Sequence, residues 1–355
     1  MQFREYIEGD EYEEVFESFK NDRRNKINKV GKILGKGPRG EVKEIETKDK
    51  VLAGKIIKKF RNEKPQNEEI LKDLNNEHIV KIEKILSKKI NNTEYELILM
   101  ERAQLKDLGK VNDHFYNVNL LRLINIDPFD EKISNCLLRF YARQIISALE
   151  ILHRNNYVHL NLKLENLLVF QKLNLKLSDF EYINEPTDKF ILNETNCGCK
   201  TPEYINKLEL SSEEVEKQDY FALGAMLFKL KYGKNLMKRI YEDNKMDKEL
   251  SKDLLIKNIS FLKSDLTSKK KFINFIYNLI NYNLEERSSF EQIYRNKWLN
   301  QNVDEIDKTF LAFENNEIKL ILELQKKDFL LKKEKLLKKE KKFNQAKFRF
   351  KKKII

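Results

Sequence analysis

The strongest constraint on the fold is a change in the hydrophobic pattern near residue 100. Before that point, short runs of β-branched and apolar residues alternate with polar, turn-forming stretches, as is typical of an antiparallel sheet. These runs cover residues 29–34, 40–46, 51–57, 79–86 and 95–100. Apolar residues at helical spacing appear in residues 66–74 and later in 136–153, 219–229, 248–262, 269–281 and 290–297. We therefore predict an α+β fold in which a small β-rich lobe precedes a larger helical lobe.

Charge is distributed unevenly along the chain. The 355 residues carry a net charge of +12, but residues 326–355 contain 14 basic and 3 acidic residues, so the remainder is nearly neutral. We predict a globular domain flanked by a charged N-terminal extension and a basic helical tail. Their predicted ranges are 1–26 for the extension, 27–300 for the domain (N-lobe 27–100, connection and insertion 101–132, C-lobe 133–300) and 301–355 for the tail.

Composition favours a cytoplasmic protein. No apolar run is long enough to span a bilayer, and the acidic N-terminal residues lack the core of a signal peptide. The three cysteines, Cys136, Cys197 and Cys199, are too few for a disulfide framework. Cys197 and Cys199 are also too few for a zinc site, so ordinary loop cysteines are the simpler interpretation.

A glycine-rich segment, LGKGPRGEV, lies at residues 34–42 between two predicted strands. A dinucleotide-binding loop or a Walker loop would instead join a strand to a helix. The segment therefore favours a β-hairpin whose backbone amides cover phosphates, through Gly35, Gly37 and Gly40. An ordinary glycine-rich hairpin is the alternative. Lys55 on the next strand favours the phosphate interpretation, because a lysine there can reach phosphate oxygens.

With three further motifs, the chain resembles the eukaryotic protein kinase family over about residues 29–300. The segment HLNLKLEN at 159–166 is similar to the catalytic loop HRDLKxEN, and Asp179-Phe180-Glu181 stands where the family has DFG. DYFALG at 219–224 resembles the DxWSxG helix start, and residues 286–299 resemble the terminal RP…WL element. The resemblance implies a two-lobed kinase fold with a site for ATP and Mg²⁺.

The resemblance also assigns roles to individual residues. Lys55 would contact the α- and β-phosphates and Lys163 the γ-phosphate, while Asn166 and Asp179 would hold Mg²⁺ through oxygen ligands. The adenine would meet backbone groups and apolar side chains supplied by Val42, Ala53, Met100 (the gatekeeper), Glu101, Ala103 and Leu168. A hydrophobic spine would consist of Leu71, Ile82, His159 and Phe180, anchored by Asp219. For each apolar residue, plain core packing is the alternative.

One catalytic position departs from the family. Asn161 occupies the place of the catalytic Asp, and an amide can orient a hydroxyl but cannot accept its proton. We therefore predict a pseudokinase that acts as a scaffold or regulator, with ATP and Mg²⁺ binding weakened or vestigial. One alternative is a weakly active kinase, for which Lys163 favours the Ser/Thr subclass. Another is a structural component of a larger assembly, docked by the basic tail.

Four further departures concern the nucleotide and the activation segment. Asn67 falls where a Glu should pair with Lys55, unless a one-residue bulge brings Glu68 there. Glu181 replaces the Gly of DFG and adds negative charge near the phosphates, and Pro38 removes an amide donor. Leu160 replaces the Arg that would receive a phosphate from the activation segment.

Two alignments are open for the end of the activation segment. We favour Thr201-Pro202-Glu203, which pairs Glu203 with a buried Arg287. An alternative alignment, over residues 201–208, would lose the motif.

The tail is predicted to be a basic amphipathic helix. Apolar residues recur every seven positions, while most other positions are Lys. The apolar series is Leu322, Phe329, Leu336, Phe343 and Phe350. We expect a protein partner, with an acidic protein surface or an anionic membrane as candidates for residues 322–355. Nucleic acid is not favoured, and the acidic residues 5–17 of the same chain or a simply solvated helix are the alternatives.

Overall fold

The structure is a computed structural model of the chain. It describes residues 9–37, 40–59, 74, 76–104, 107–108, 135–170, 174–187, 189–193, 201–233, 235–236, 241–242, 245–246, 253, 256–257, 260 and 270–300. Several sequence-based predictions lie outside these residues: most of the helices at 66–74 and 248–262, most of the insertion, Cys197, Cys199, Asn67, Glu68, Leu71 and the basic tail.

A five-stranded antiparallel sheet forms the first lobe, as the sequence predicts. The strands have the order β1-β2-β3-β5-β4 and all neighbours are antiparallel. They are β1 (Ile27–Gly37), β2 (Gly40–Thr47), β3 (Val51–Lys59), β4 (Ile82–Ile90) and β5 (Thr93–Glu101). Asn91 and Asn92 form the two-residue turn between β4 and β5, with φ of 46° and 64°. Paired positive φ values match the twist of a tight hairpin, which explains the Asn-Asn sequence.

A helix that we did not predict, α1 (Gly9–Asn21), packs against one face of this sheet. Tyr12, Val15, Phe16 and Phe19 repeat at helical spacing on α1, and all four are buried. They share a core cluster with apolar side chains of the strands, among them Ile45, Ile56, Leu97 and Leu99. Part of the charged N-terminal extension therefore contributes to the core of the first lobe.

The second lobe is mainly helical, again as predicted. Its helices are α2 (Asn135–Arg154), α3 (Pro202–Asn206), α4 (Ser212–Tyr232), α5 (Lys270–Leu279) and α6 (Phe290–Tyr294). Short antiparallel pairs join β6 (Leu167–Val169) to β7 (Leu175–Leu177), β8 (Phe190–Ile191) to β9 (Glu209–Leu210) and β10 (Tyr241–Glu242) to β11 (Lys245–Met246). Within the part of the chain that the structure describes, no helix has the length and apolarity needed to cross a membrane.

Helix α4 begins seven residues before the start that we predicted at Asp219. Ser211 accepts a hydrogen bond from the Glu214 amide, and the Glu214 carboxylate accepts one from the Ser211 amide. This reciprocal capping box stabilises a helix start because it satisfies two backbone donors that have no partner within the helix. Asp219 consequently lies inside a helix and is fully buried there.

The two lobes meet through backbone hydrogen bonds near the start of β4. The Val80 amide donates to the Leu177 carbonyl at 2.9 Å, and the Leu177 amide donates to the His78 carbonyl at 2.8 Å. Beside them, Lys176 Nζ lies 2.8 Å from the Glu101 carboxylate. These contacts place β3 of the first lobe opposite the loops that follow α2 and β7 in the second.

Replacing Gly224 on α4 by Ala is expected to destabilise the second lobe. An ideal Cβ at Gly224 would lie 2.5 Å from Ile280 Cγ2 and 2.8 Å from Leu279 Cβ. Contacts this short belong to the upper half of the overpacking range, about 2–3 kcal/mol, and the better helix propensity of Ala recovers about 1, so we expect a net loss of about 1–2 kcal/mol in denaturant unfolding. Gly35→Ala is the control, because a Cβ there meets nothing within 4 Å. Unchanged stability of Gly224→Ala would contradict this close packing.

Candidate functional site

The loop between α2 and β6 is held in place by a buried carboxylate. Asp219 accepts hydrogen bonds from the backbone amides of His159, at 2.8 Å, and of Leu160, at 2.9 Å. Burial alone would raise the pKa of Asp219, but the hydrogen bond with His153 and the neighbouring histidines outweigh burial, so this pKa is lowered. The ionised carboxylate thereby fixes Leu160 in the left-handed conformation, with φ of 55°.

Asn161 lies beside the carboxylate that we predicted as a metal ligand. The side-chain Nδ2 of Asn161 donates to Asp179 Oδ2 at 3.2 Å, and its backbone carbonyl oxygen accepts a hydrogen bond from Asn166 Nδ2 at 2.8 Å. All three residues lie close together, although Asp179 follows β7 and the other two precede β6. The amide of Asn161 is therefore a hydrogen-bond donor to Asp179 in this arrangement.

Lys55 on β3 completes this cluster from the other lobe. Its Nζ lies 2.8 Å from Asp179 Oδ1, so the two carboxylate oxygens each face one nitrogen donor. Burial would raise the pKa of Asp179, but the charge and hydrogen bond of Lys55 outweigh it and lower the pKa to about 2. The charge of Lys163, whose side chain is exposed, contributes in the same direction. Asp179 is therefore ionised at neutral pH.

The donor atoms of Asn166 and Asp179 fit Mg²⁺, which prefers hard oxygen ligands. Asn166 uses Nδ2 to bind the Asn161 carbonyl, which leaves its amide oxygen as the atom suited to a metal. Among the residues described, no group of three or more His, Cys, Asp or Glu side chains could hold a metal ion. A Mg²⁺ ion at Asn166 and Asp179 would thus take further ligands from phosphates and water, as it commonly does.

The glycine-rich hairpin stands above Lys55 on the same sheet. Gly37 and Gly40 are direct cross-strand partners at the end of β1 and β2. A Cβ on Gly40 would lie 2.5 Å from the Ile56 carbonyl oxygen, so packing alone requires glycine there. At Gly35 a Cβ would meet nothing within 4 Å, so the fold itself leaves that space open. Packing within the described residues therefore does not require glycine at position 35.

The residues predicted to surround the adenine lie on neighbouring strands. Val42 pairs with Lys55, Ala53 pairs with Met100, and Leu168 lies on β6. Ala53 is buried, whereas Val42, Met100, Leu168 and Ala103 are half-buried, as expected for side chains bordering a cleft.

Glu101 has a structural side chain. Its carboxylate binds Lys176 Nζ and accepts from the Lys81 amide, at 2.8 Å and 2.7 Å. Its own amide donates to the Lys81 carbonyl at 3.0 Å. The adenine contact predicted for Glu101 therefore depends on its backbone carbonyl.

Two of the described residues of the predicted spine, His159 and Phe180, are in contact. The rings of His159 and Phe180 pack edge to face, with centroids 5.2 Å apart, and Ile82 is buried. Burial lowers the pKa of His159, so this side chain is neutral and serves packing. Glu181 does not have a positive φ, so the conformation at this position does not require the glycine that it replaces.

The favoured alignment of the activation segment is confirmed. Arg287 Nη2 lies 2.8 Å from Glu203 Oε1, and Nη1 lies 3.2 Å from Oε2, with both side chains buried. Leu160 is buried in an apolar cluster with Leu192, Leu210 and Val215. A phosphate receptor is therefore absent at Leu160, and hydrophobic packing holds the described part of the segment instead.

Comparison with known proteins gives one consistent result. A family model described as the protein kinase domain matches residues 28–299. The chain is 31% identical over 232 residues to NUAK family SNF1-like kinase 1 of Homo sapiens, covering 58% of this chain and 31% of that protein. It is also 31% identical over 229 residues to Protein kinase C-like 1B of Caenorhabditis elegans, and this match covers 63% of this chain and 30% of that protein. The chain thus spans less than a third of the length of these relatives.

Proposed function

Because the chain belongs to the protein kinase family, whose members bind ATP and Mg²⁺, we propose that it is a nucleotide-binding pseudokinase that acts as a scaffold or regulator. The observation that carries this proposal is the position of Asn161. Its side chain stands where the family has a catalytic carboxylate, and it donates a hydrogen bond to Asp179. The site therefore keeps its predicted phosphate and metal ligands but lacks a base for the attacking hydroxyl.

The missing base has a defined effect on rate. A positioned general base contributes about 10²–10⁴-fold to such a reaction, and an amide cannot accept the proton at neutral pH. Asn161 could still orient a hydroxyl through its amide oxygen, so slow transfer is compatible with this site. Efficient turnover is not compatible with it, because Asn161 offers no base to accept the proton of the attacking hydroxyl.

Nucleotide binding is supported by the ion pair between Lys55 and Asp179. A triphosphate would bind beside Lys55, which is already held by Asp179 on the strand next to the glycine-rich hairpin. Asn166 and Asp179 would hold the metal. When bound, Mg²⁺ would neutralise phosphate charge and fix the phosphate geometry. Glu181 adds a carboxylate near this place and would weaken the affinity.

Mg·ATP is expected to raise the thermal midpoint of the wild-type chain, and Lys55→Met is expected to abolish the shift. At about 100 times the Kd, a ligand stabilises by about 2.7 kcal/mol, which corresponds to roughly 5–10 °C for a domain of this size. Lys58→Met is the matched control, because it carries the same change on the same strand but on the opposite face. Absence of a shift for the wild type at millimolar Mg·ATP would refute nucleotide binding.

A slow Ser/Thr protein kinase is the second candidate. It is favoured by Lys163, Asn166 and Asp179, which match the family at their positions, and by the intact Glu203–Arg287 pair. Measurable phosphate transfer below ordinary kinase rates, which are about 1–100 per second, would establish this second function, and transfer at ordinary rates would overturn the pseudokinase proposal. Tail-mediated docking to an acidic protein surface or an anionic membrane, and a cytoplasmic location, remain predictions from the sequence.

A further inference from the structure

A charged pair lies buried on the face of the sheet that α1 covers. The side chains of Lys43 and Glu41, both on β2, are only 3% and 2% exposed, and Lys43 Nζ lies 3.5 Å from Glu41 Oε1. Ile45, on the same face of β2, is fully buried in the cluster that α1 covers. Buried charges are strongly destabilising unless they are paired, so the partners of these two groups matter to the lobe.

Helix α1 supplies partners for Lys43. Glu13 of α1 forms an ion pair with Lys43 Nζ, and the Phe16 ring centroid lies 4.9 Å from the same nitrogen, within the range of a cation–π interaction. The pKa of Tyr12 on α1 is raised, mainly by burial and in second place by the nearby negative charge of Glu41. The helix therefore fixes Lys43 through charge as well as through packing.

The second oxygen of Glu41 continues the series of contacts toward the hairpin. Lys36 Nζ lies 2.5 Å from Glu41 Oε2, and Lys36 and Glu41 are direct cross-strand partners. The next pair is Gly37 with Gly40, the last pair of β1 and β2. Glu13, Lys43, Glu41 and Lys36 thus form an alternating ionic chain from α1 to the end of the glycine-rich hairpin.

We propose that α1 positions the glycine-rich hairpin through this ionic chain and thereby sets the affinity for nucleotide phosphates. Glu13 and Lys43 are positioning residues in this proposal, which rests on the nucleotide site proposed above. Helix α1 precedes residues 28–299, the range matched by the family model, so the device is an addition to the family's domain.

In this proposal, nucleotide affinity depends on how well the glycine-rich hairpin is ordered before the nucleotide binds. Without Glu13, Glu41 is the one carboxylate that the described residues still offer to the buried Lys43, which draws Glu41 away from Lys36. The hairpin end then loses its ion pair, and its backbone amides must be ordered when phosphates bind, which lowers affinity. Adenosine has no phosphates and should not sense this change.

The test compares Glu13→Ala with Glu14→Ala in the full chain. Both remove one exposed acidic residue from α1 and introduce a good helix former, but only Glu13 contacts Lys43, and Glu14 lies outside the ionic chain. We expect Glu13→Ala to weaken Mg·ATP binding about three- to tenfold in calorimetry, with adenosine binding unchanged and Glu14→Ala like the wild type. Loss of a negative charge alone would strengthen binding of an anion or leave it unchanged, so the sign is diagnostic.

A second variant, Lys43→Met, keeps the apolar contact with Phe16 and removes the central cation. It should weaken Mg·ATP at least as much as Glu13→Ala while preserving adenosine affinity. The inference is overturned if the wild type binds Mg·ATP and both variants bind it equally well, or if ATP and adenosine weaken together. Should Lys43→Met fail to fold, Glu13→Ala decides alone. A wild type that does not bind Mg·ATP would overturn the proposed function instead.

Discussion

Replacing Asn161 by Asp is expected to raise the rate of phosphate transfer from ATP by about 10²–10⁴-fold in single-turnover experiments. The substitution supplies a carboxylate at a position that the fold holds firmly, because Asp219 fixes the preceding amides of His159 and Leu160. The carboxylate can accept the proton of an attacking hydroxyl, which the amide cannot.

The geometry adds a condition to this expectation. Asn161 Nδ2 lies 3.2 Å from Asp179 Oδ2, so an Asp at 161 would place two carboxylates side by side. Like charges at this distance repel, and Mg²⁺ bound at Asp179 would relieve the repulsion. The gain should therefore require Mg²⁺, and the metal-free variant should unfold at a lower temperature than the wild type.

The measurement is transfer of the γ-phosphate to a generic Ser/Thr peptide with the protein in excess. Asn161→Ala is the control, since it removes the contact with Asp179 without supplying a base, and it should show no gain. If the rate does not change in Asn161→Asp, a second departure from the family also limits the reaction. The candidates are Glu181 and Asn67, which stands where a Glu should pair with Lys55.

Replacing Arg287 by Met is expected to lower the free energy of unfolding by about 3–5 kcal/mol, or the thermal midpoint by roughly 6–20 °C. Arg287 is fully buried, binds both oxygens of Glu203 and donates to the Asn281 carbonyl at 3.1 Å. Its guanidinium carbon also lies 4.8 Å from the Phe221 ring centroid. Removal of the cation leaves the Glu203 carboxylate buried without its counter-charge, and this unpaired charge accounts for most of the expected loss in the free energy of unfolding.

An exposed pair in the same lobe gives a matched control. Arg295 and Glu291 form an ion pair at 2.6 Å on α6 and its C-terminal end, but both side chains are largely exposed. Arg295→Met should change stability by less than about 1 kcal/mol. Equal losses for Arg287→Met and Arg295→Met in chemical denaturation would show that burial of the Glu203 pair is energetically unimportant.

The sequence predicted the two lobes well, but we missed one helix, α1, and the start of another, α4, for different reasons. Tyr12, Val15, Phe16 and Phe19 have the spacing of a buried helix face, yet the acidic residues around them led us to predict a charged extension. Ser211 and Glu214 have the spacing of a capping box, a signal that we did not use. Both features were readable from local pattern alone.

The site was predicted at the level of residues but not of contacts. Motif spacing identified Lys55, Asn161, Asn166 and Asp179, and the structure brings all four together. That the Asn161 amide donates to Asp179 depends on a loop that Asp219 holds from another helix. Such an orientation follows from tertiary packing, which motif spacing does not describe.

The position of α1 has a practical consequence for any attempt to produce the domain. A fragment that starts at residue 28, where the family match begins, would lack the helix that covers the sheet. Ile45, Ile56 and Leu97 would then form a water-exposed apolar patch, with Lys43 and Glu41 in its midst, and such patches promote aggregation. Soluble expression therefore calls for a fragment that includes residues 9–21.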